Sequence, residues 1–152
     1  MRNPTIALVK AFKTAIETAT GKSVYTRMPK AAKISYPYVT ISDTYIEELG
    51  PKTNYEYKID MLVNVVYIDA NDIQDLHNDV DDIMGIINND VPFSVDAPFS
   101  IQECQLNNFT TIEANSETGV LSIGSIRVMF YVNWFVCKIC YKTLYLLKLK
   151  IQ

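Results

Sequence analysis

The sequence predicts an α+β domain: an antiparallel β-sheet of about four long strands, two helices packed against it, and a C-terminal extension. Three observations carry this. Tyr55, Tyr57, Ile59, Met61, Val63, Val65 and Tyr67 alternate with Glu56, Lys58, Asp60 and Asn64, the period of a strand with one buried face. Two segments, 4–20 and 72–87, place apolar residues at helical spacing. Two runs rich in β-branched and aromatic residues, 99–114 and 120–135, flank the turn-forming NSETG.

In order along the chain, Asn3 and Pro4 read as a cap and first helical position, and Ile6, Val9, Phe12 and Ile16 follow as the apolar stripe of a helix that Gly21 ends. The segment 23–35, with Arg27, Lys30 and Lys33, reads as a basic loop with one short strand. YPYVTISDTY, from Tyr36, reads as a strand with Pro37 at its start, where a missing N–H matters least. ELGPKTN is a loop. The alternating strand then spans 54–68, about 45–50 Å at ~3.3 Å per residue, long enough that it must bend or project. FSIQECQLNNFTTIEA is a strand with a bulge expected at Asn107 and Asn108. VLSIGSIRVMFYVNWF is apolar on both faces toward its end and belongs inside the sheet. Residues 134–152 carry strand parity and a helical stripe together. Their Lys138, Lys142, Lys148 and Lys150 stand among apolar residues, which points to an inter-subunit contact. The division is therefore a domain over 1–133 and an extension over 134–152.

Of the 152 residues, 49% are hydrophobic and 20% charged, which supports one packed domain and argues against global disorder. A net charge of −3 and a pI near 5.1 argue against a nucleic-acid binder held by phosphate contacts. Residues 1–10 lack the continuous apolar core of a secretory signal, and the four lysines of the extension make it a poor membrane span. Cys104, Cys137 and Cys140 are expected as reduced thiols.

The candidate chemistry concentrates in DIQDLHNDVDDIM, because no Lys or Arg occurs from Asp69 to Asp96. At 100° per residue, Ile73, Leu76, Val80, Ile83, Met84 and Ile87 fill an arc of about 100°, and Asp72, Asp75, Asp79 and Asp82 an adjacent arc of about 80°. Such neighbours repel by a few tenths of a kcal/mol per pair. A solvated face is the commonest origin of such a stripe; a contact with a basic partner and a repulsive wall are the functional readings. A magnesium site would want substrate phosphates and a phosphate loop, and a calcium loop would want alternate-residue spacing with a turn glycine. Neither pattern accompanies these aspartates. Cys137 and Cys140 form C-x-x-C without the context of a zinc or redox site, and His77 falls at the rim of the apolar arc. No catalytic, cofactor-binding or metal-ligating set is assigned, and no enzyme activity is expected.

Taken together, YPYVTISD, KTNYEYKIDMLVNVVYID and DIQDLHNDVDDIMGIIN, in that order, resemble the tail terminator (tail completion) proteins of tailed bacteriophages over about residues 4–133. The extension and the density of Asp in the second helix depart from that pattern. The resemblance implies a virion protein, put together in the host cytoplasm, that forms a ring, usually of six, on the head-proximal end of the tail. Its partners would be further copies of itself, the tail tube protein and the head-completion or connector protein, with DNA passing through the lumen without sequence-specific binding and no membrane involved. Another head–tail neck adaptor is the alternative, and a small metal-dependent enzyme using the Asp72–Asp82 stripe a weaker one. Residues expected at a subunit contact or at the lumen are Asp72, Asp75, Asp79, Asp82, Lys138, Lys142, Lys148, Lys150, Tyr55 and Tyr57.

Overall fold

The computed structural model describes residues 3–28, 30, 33–50, 56–69, 73–88 and 93–134. Helix α1 (Thr5–Thr20) begins where the Asn3 side chain accepts a hydrogen bond from the Thr5 N–H at 2.8 Å, and Gly21 ends it with φ 67°. The stripe it buries is Leu8, Phe12 and Ile16, so the helix is rotated from the expected Ile6–Val9 register, and Ile6 is 79% exposed. Strand β1 (Ser23–Tyr25) follows at once, then β2 (Tyr38–Glu48), β3 (Tyr57–Ile68), α2 (Gln74–Ile87), β4 (Phe99–Ser116) and β5 (Gly119–Trp134).

The sheet runs β1-β2-β3-β5-β4. Four long strands are antiparallel, as expected, but the sheet has five strands and is mixed, because β1 lies parallel to β2. The reason is local. Ser23 and Tyr38, the first residues of the two strands, are register partners, so both strands start at the same end of the sheet and run in the same direction.

Strand β3 is the central strand, paired along its whole length with β5 on one side and over most of it with β2 on the other. Over Tyr57–Ile68 it spans about 40 Å at ~3.3 Å per residue and is paired with β5 to both ends, so this stretch does not project; residues 54 and 55 of the expected strand lie outside the described residues. Its alternation is as read: Tyr57, Ile59, Met61, Val63 and Val65 are buried. Strand β5 lies inside the sheet, and β4 carries register shifts at Ile101/Glu103 and Leu106/Asn108, the second at the expected bulge.

Both helices cover one face of the sheet, α1 over β1 and β2, α2 over β3, β5 and β4. Phe12 of α1 meets Phe130 of β5 edge-on at 5.0 Å and stacks on Phe93 at 5.5 Å, so three rings join a helix, a strand and the α2–β4 connection. Where α2 comes closest to the sheet, β5 has Gly124. A Cβ there would lie 3.0 Å from Val80 Cγ2 and 3.3 Å from Leu76 Cδ2.

The ends of β3 are fastened to β5. The Asp69 N–H donates to the Val120 carbonyl at 2.8 Å, and the Val120 N–H donates to Asp69 Oδ1 at 2.9 Å. At the other end, Glu56 N–H donates to Asn133 Oδ1 at 3.0 Å, and Trp134 N–H donates to Glu56 Oε2 at 2.9 Å. The first clamp requires Gly119, whose φ is 145° and whose added Cβ would collide with the Asp69 carboxylate. Gly119→Ala is expected to cost about 1–3 kcal/mol of unfolding free energy by chemical denaturation, from backbone strain together with the displaced carboxylate.

Candidate functional site

The acidic helix is the one feature with an unusual charge pattern, and the structure divides its carboxylates in two. The residues that α2 buries are Leu76, Asp79, Val80, Ile83, Ile86 and Ile87. On a 100° wheel this set is centred about 50° from the arc read in the sequence, toward the aspartates. Ile86 explains the rotation. It stands beyond Asp79 on the wheel, so burying Ile83 and Ile86 takes Asp79 inward with them. Ile73, on the opposite rim, is 42% exposed and Met84 only half-buried.

Asp79 is 6% exposed. Its Oδ2 accepts a hydrogen bond from the Tyr67 hydroxyl at 2.6 Å, and Lys22 Nζ lies 3.9 Å away. Three elements therefore meet on one carboxylate: α2, the end of β3, and the junction between α1 and β1. Burial raises the pKa of Asp79 above the usual carboxylate range, and the nearby Asp82 and Asp75 add to the rise; the Tyr67 hydrogen bond and Lys22 oppose it. Burial, and then the Asp79 carboxylate, raise the pKa of Tyr67, so it remains a neutral donor at physiological pH. This triad fastens the fold from within.

Asp75 and Asp82 stand exposed on one side of Asp79 on the wheel, and Asp81 is exposed about 160° from it. Asp75 falls in the first turn, where the helix dipole favours it; Asp82 has no such support. Among the described residues, Lys22 at Asp79 is the one cation within ion-pair reach of an α2 carboxylate. Tyr57, the other described candidate, is buried in the core, and burial raises its pKa. Asp72, Tyr55, Lys138, Lys142, Lys148 and Lys150 lie outside the described residues, as do Cys137, Cys140 and most of the extension 134–152. Cys104 is partly enclosed on β4, and burial pushes its thiol up to about 12. His77 is half-buried. Among the described residues no three His, Cys, Asp or Glu side chains come together as a metal site, and no helix is long and apolar enough to cross a membrane.

The helix-free face of the sheet carries a polar row across three strands. Ser125 Oγ donates to Asn64 Oδ1 at 2.6 Å, and Asn64 Nδ2 donates to Thr40 Oγ1 at 3.4 Å. Leu62, Ile123 and Met129 stand half-buried around it. The α2 carboxylates Asp75 and Asp82 and residues 106–113 of β4 are exposed to solvent.

No protein-family model and no curated protein matches the sequence. The fold has a counterpart among solved structures. A chain of the structure titled "Virion of native gene transfer agent (GTA) particle" superposes with a TM-score of 0.65 at 11% identity. The match covers 88% of this chain and 100% of that one. At that identity the likeness is one of fold.

The Asp79 triad yields a prediction with a defined sign. An acid whose pKa is raised on folding holds more protons folded than unfolded, so its contribution to stability falls as pH rises from the ordinary carboxylate range through the raised value. Tyr67→Phe removes a group that favours the ionised form and raises that pKa further. Its cost is expected to be largest, about 1.5–3 kcal/mol, on the alkaline side of the raised value and to shrink as pH falls below it, as measured by urea unfolding between pH 4 and 9.

Proposed function

We propose that this chain is a structural protein of a phage-like virion that acts by assembly and performs no bond-making chemistry of its own. In this reading it forms a ring, most simply a hexamer, at the head-proximal end of the tail. The ring ends growth of the tail tube and offers a docking face to the head connector, while DNA passes through its lumen. The observation that carries the reading is the fold match, which takes in the whole of a chain from a virion particle. The resemblance of YPYVTISD, KTNYEYKIDMLVNVVYID and DIQDLHNDVDDIMGIIN to tail terminator proteins supports it from a separate direction.

A ring contact is heterologous, so two different surfaces of the subunit must complement one another. The outward carboxylates of α2, Asp75 and Asp82, are one such surface, and the lysines of the extension are a matching one. Alternatively the same carboxylates face the lumen, where they repel DNA phosphates and let the duplex slide. Asp79 takes part in neither, because Tyr67 and Lys22 already hold it.

The double reversal Asp75→Lys/Asp82→Lys separates these placements. The wild-type protein is expected to form discrete rings in electron micrographs, alone or on tail tubes. If the stripe is a contact, the variant puts like charges together at a cost of several kcal/mol per interface, and rings disappear while the monomer still folds. If the stripe lines the lumen, rings persist and retain DNA. A protein that stays solitary at every concentration and ignores tail tubes overturns the ring itself.

A further inference from the structure

Strand β4 forms the edge of the sheet opposite β1, and among the described residues it pairs with β5 alone. Residues 106–113 are exposed on both faces of the sheet. Each outward N–H and C=O along this edge is a hydrogen-bonding group with no strand beside it. Natural edges are blunted by brevity, Pro or Lys. This one is 18 residues long and contains no Pro, Lys or Arg. It displays Phe109 and Leu106 toward the helix-bearing face and Ile112, 52% exposed, toward the other.

The far side of the sheet has a second free edge. Strand β1 pairs with β2 at Tyr38, Val39 and Thr40 only, which leaves 41–48 uncovered among the described residues, with Tyr45 61% exposed. The two open segments, 41–48 and 106–113, are equal in length and lie on opposite sides of the sheet. That is the arrangement a head-to-tail contact needs, since each copy must use one surface of each kind.

We infer that the outer edge of β4 in one copy adds to the 41–48 edge of β2 in the next, so that one sheet continues across the subunit boundary. The inference rests on the ring reading and names its seam. Strand sense agrees. From β2 through β3 and β5 to β4 each neighbour is antiparallel, so β4 runs opposite to β2. Copies related by rotation about an axis along the strands then meet with β4 antiparallel to β2, the more stable pairing. Charge agrees as well. The 41–48 segment carries Asp43, Glu47 and Glu48, and 106–113 carries one acid, Glu113, which end-to-end antiparallel alignment sets opposite Ile41, away from Glu47 and Glu48. Register shifts between Ser42/Tyr45 and Leu106/Asn108 restrict the alignments the two edges can adopt. A β4-to-β4 pairing would be isologous, leaving the β2 edge open and giving a dimer rather than a ring.

The test uses the full chain with a photoreactive benzoylphenylalanine in place of Phe109, mixed as ordinary and ¹⁵N-labelled protein under conditions where it self-associates. Mass spectrometry is expected to find cross-links between differently labelled chains into the peptide spanning 34–52. Cross-links from β4 to β4, or within one chain to 135–152, with rings still present, overturn the seam and leave the ring reading standing. Absence of any self-association overturns both. A second variant, Phe109→Glu/Ile112→Glu, sets like charge against Asp43, Glu47 and Glu48 and is expected to weaken self-association at least about tenfold while the dilute monomer melts within about 3 °C of wild type. Oligomers retained by that variant overturn the seam.

Discussion

Everything in this domain depends on burying one face of two adjacent strands. Strands β3 and β5 alternate without interruption, and the inward set, Ile59, Met61, Val63 and Val65 with Ile126, Val128, Phe130 and Val132, is removed from water by two helices. Each such side chain gains about 1.5–3 kcal/mol on burial, so neither strand can slip by one residue without turning the whole set to solvent. The clamps at Asp69 and Glu56 then hold the pair at both ends. Register, helix placement and the position of both edges follow from that one alignment.

The same alignment decides what is left over. Two helices cover the middle of a five-stranded sheet, and β4, the longest strand, extends past their shelter. At ~3.3 Å per residue it runs about 60 Å, against about 40 Å for β3. Two bulges in β4 and an overrun of β3 by two residues of β5 at each end account for the difference. A free edge of that length is a liability in an isolated protein and an asset in an assembling one. Among the described residues the outer main chain of β4 pairs with no strand, and Phe109 and Ile112 are exposed along it.

Much of this was legible in the sequence, and the failures have physical causes. Period-2 alternation located β3, and apolar continuity placed β5 inside the sheet, because burial on one or both faces writes itself directly into residue type. Asn3 and Gly21 marked the ends of α1 through main-chain geometry alone. Rotation of the helices was read less well. Ile6 and Ile73 fall on the apolar stripes by spacing yet are exposed, while Leu8 and Ile86 are buried, because a single sequence shows which residues are apolar but not which the sheet can reach. Three-residue β1 has too few positions to show a period, and its parallel pairing depends on where a twelve-residue loop returns. Tyr57 looked available because tyrosine suits interfaces as well as cores; only the height of the helix layer decides between them.

Asp79 brings these strands of argument together. By composition it is one more acid in an acidic run. By geometry it is the polar member of a heptad-like set, Leu76, Asp79, Val80, Ile83 and Ile86, which faces the sheet. A carboxylate there would be costly without partners, and it has a neutral donor in Tyr67 and a cation in Lys22. Burial, with the field of Asp82 and Asp75, favours its protonated form, and Tyr67 and Lys22 favour the ionised one. Asp75 and Asp82 remain outside, two turns apart on one face of α2, with Asp81 exposed on another. The helix thus combines an inner carboxylate that fixes its rotation with outer carboxylates that fixed rotation aims in one direction. An electrostatic surface meant to be met by another molecule requires that aim, because a helix free to roll would present no consistent charge.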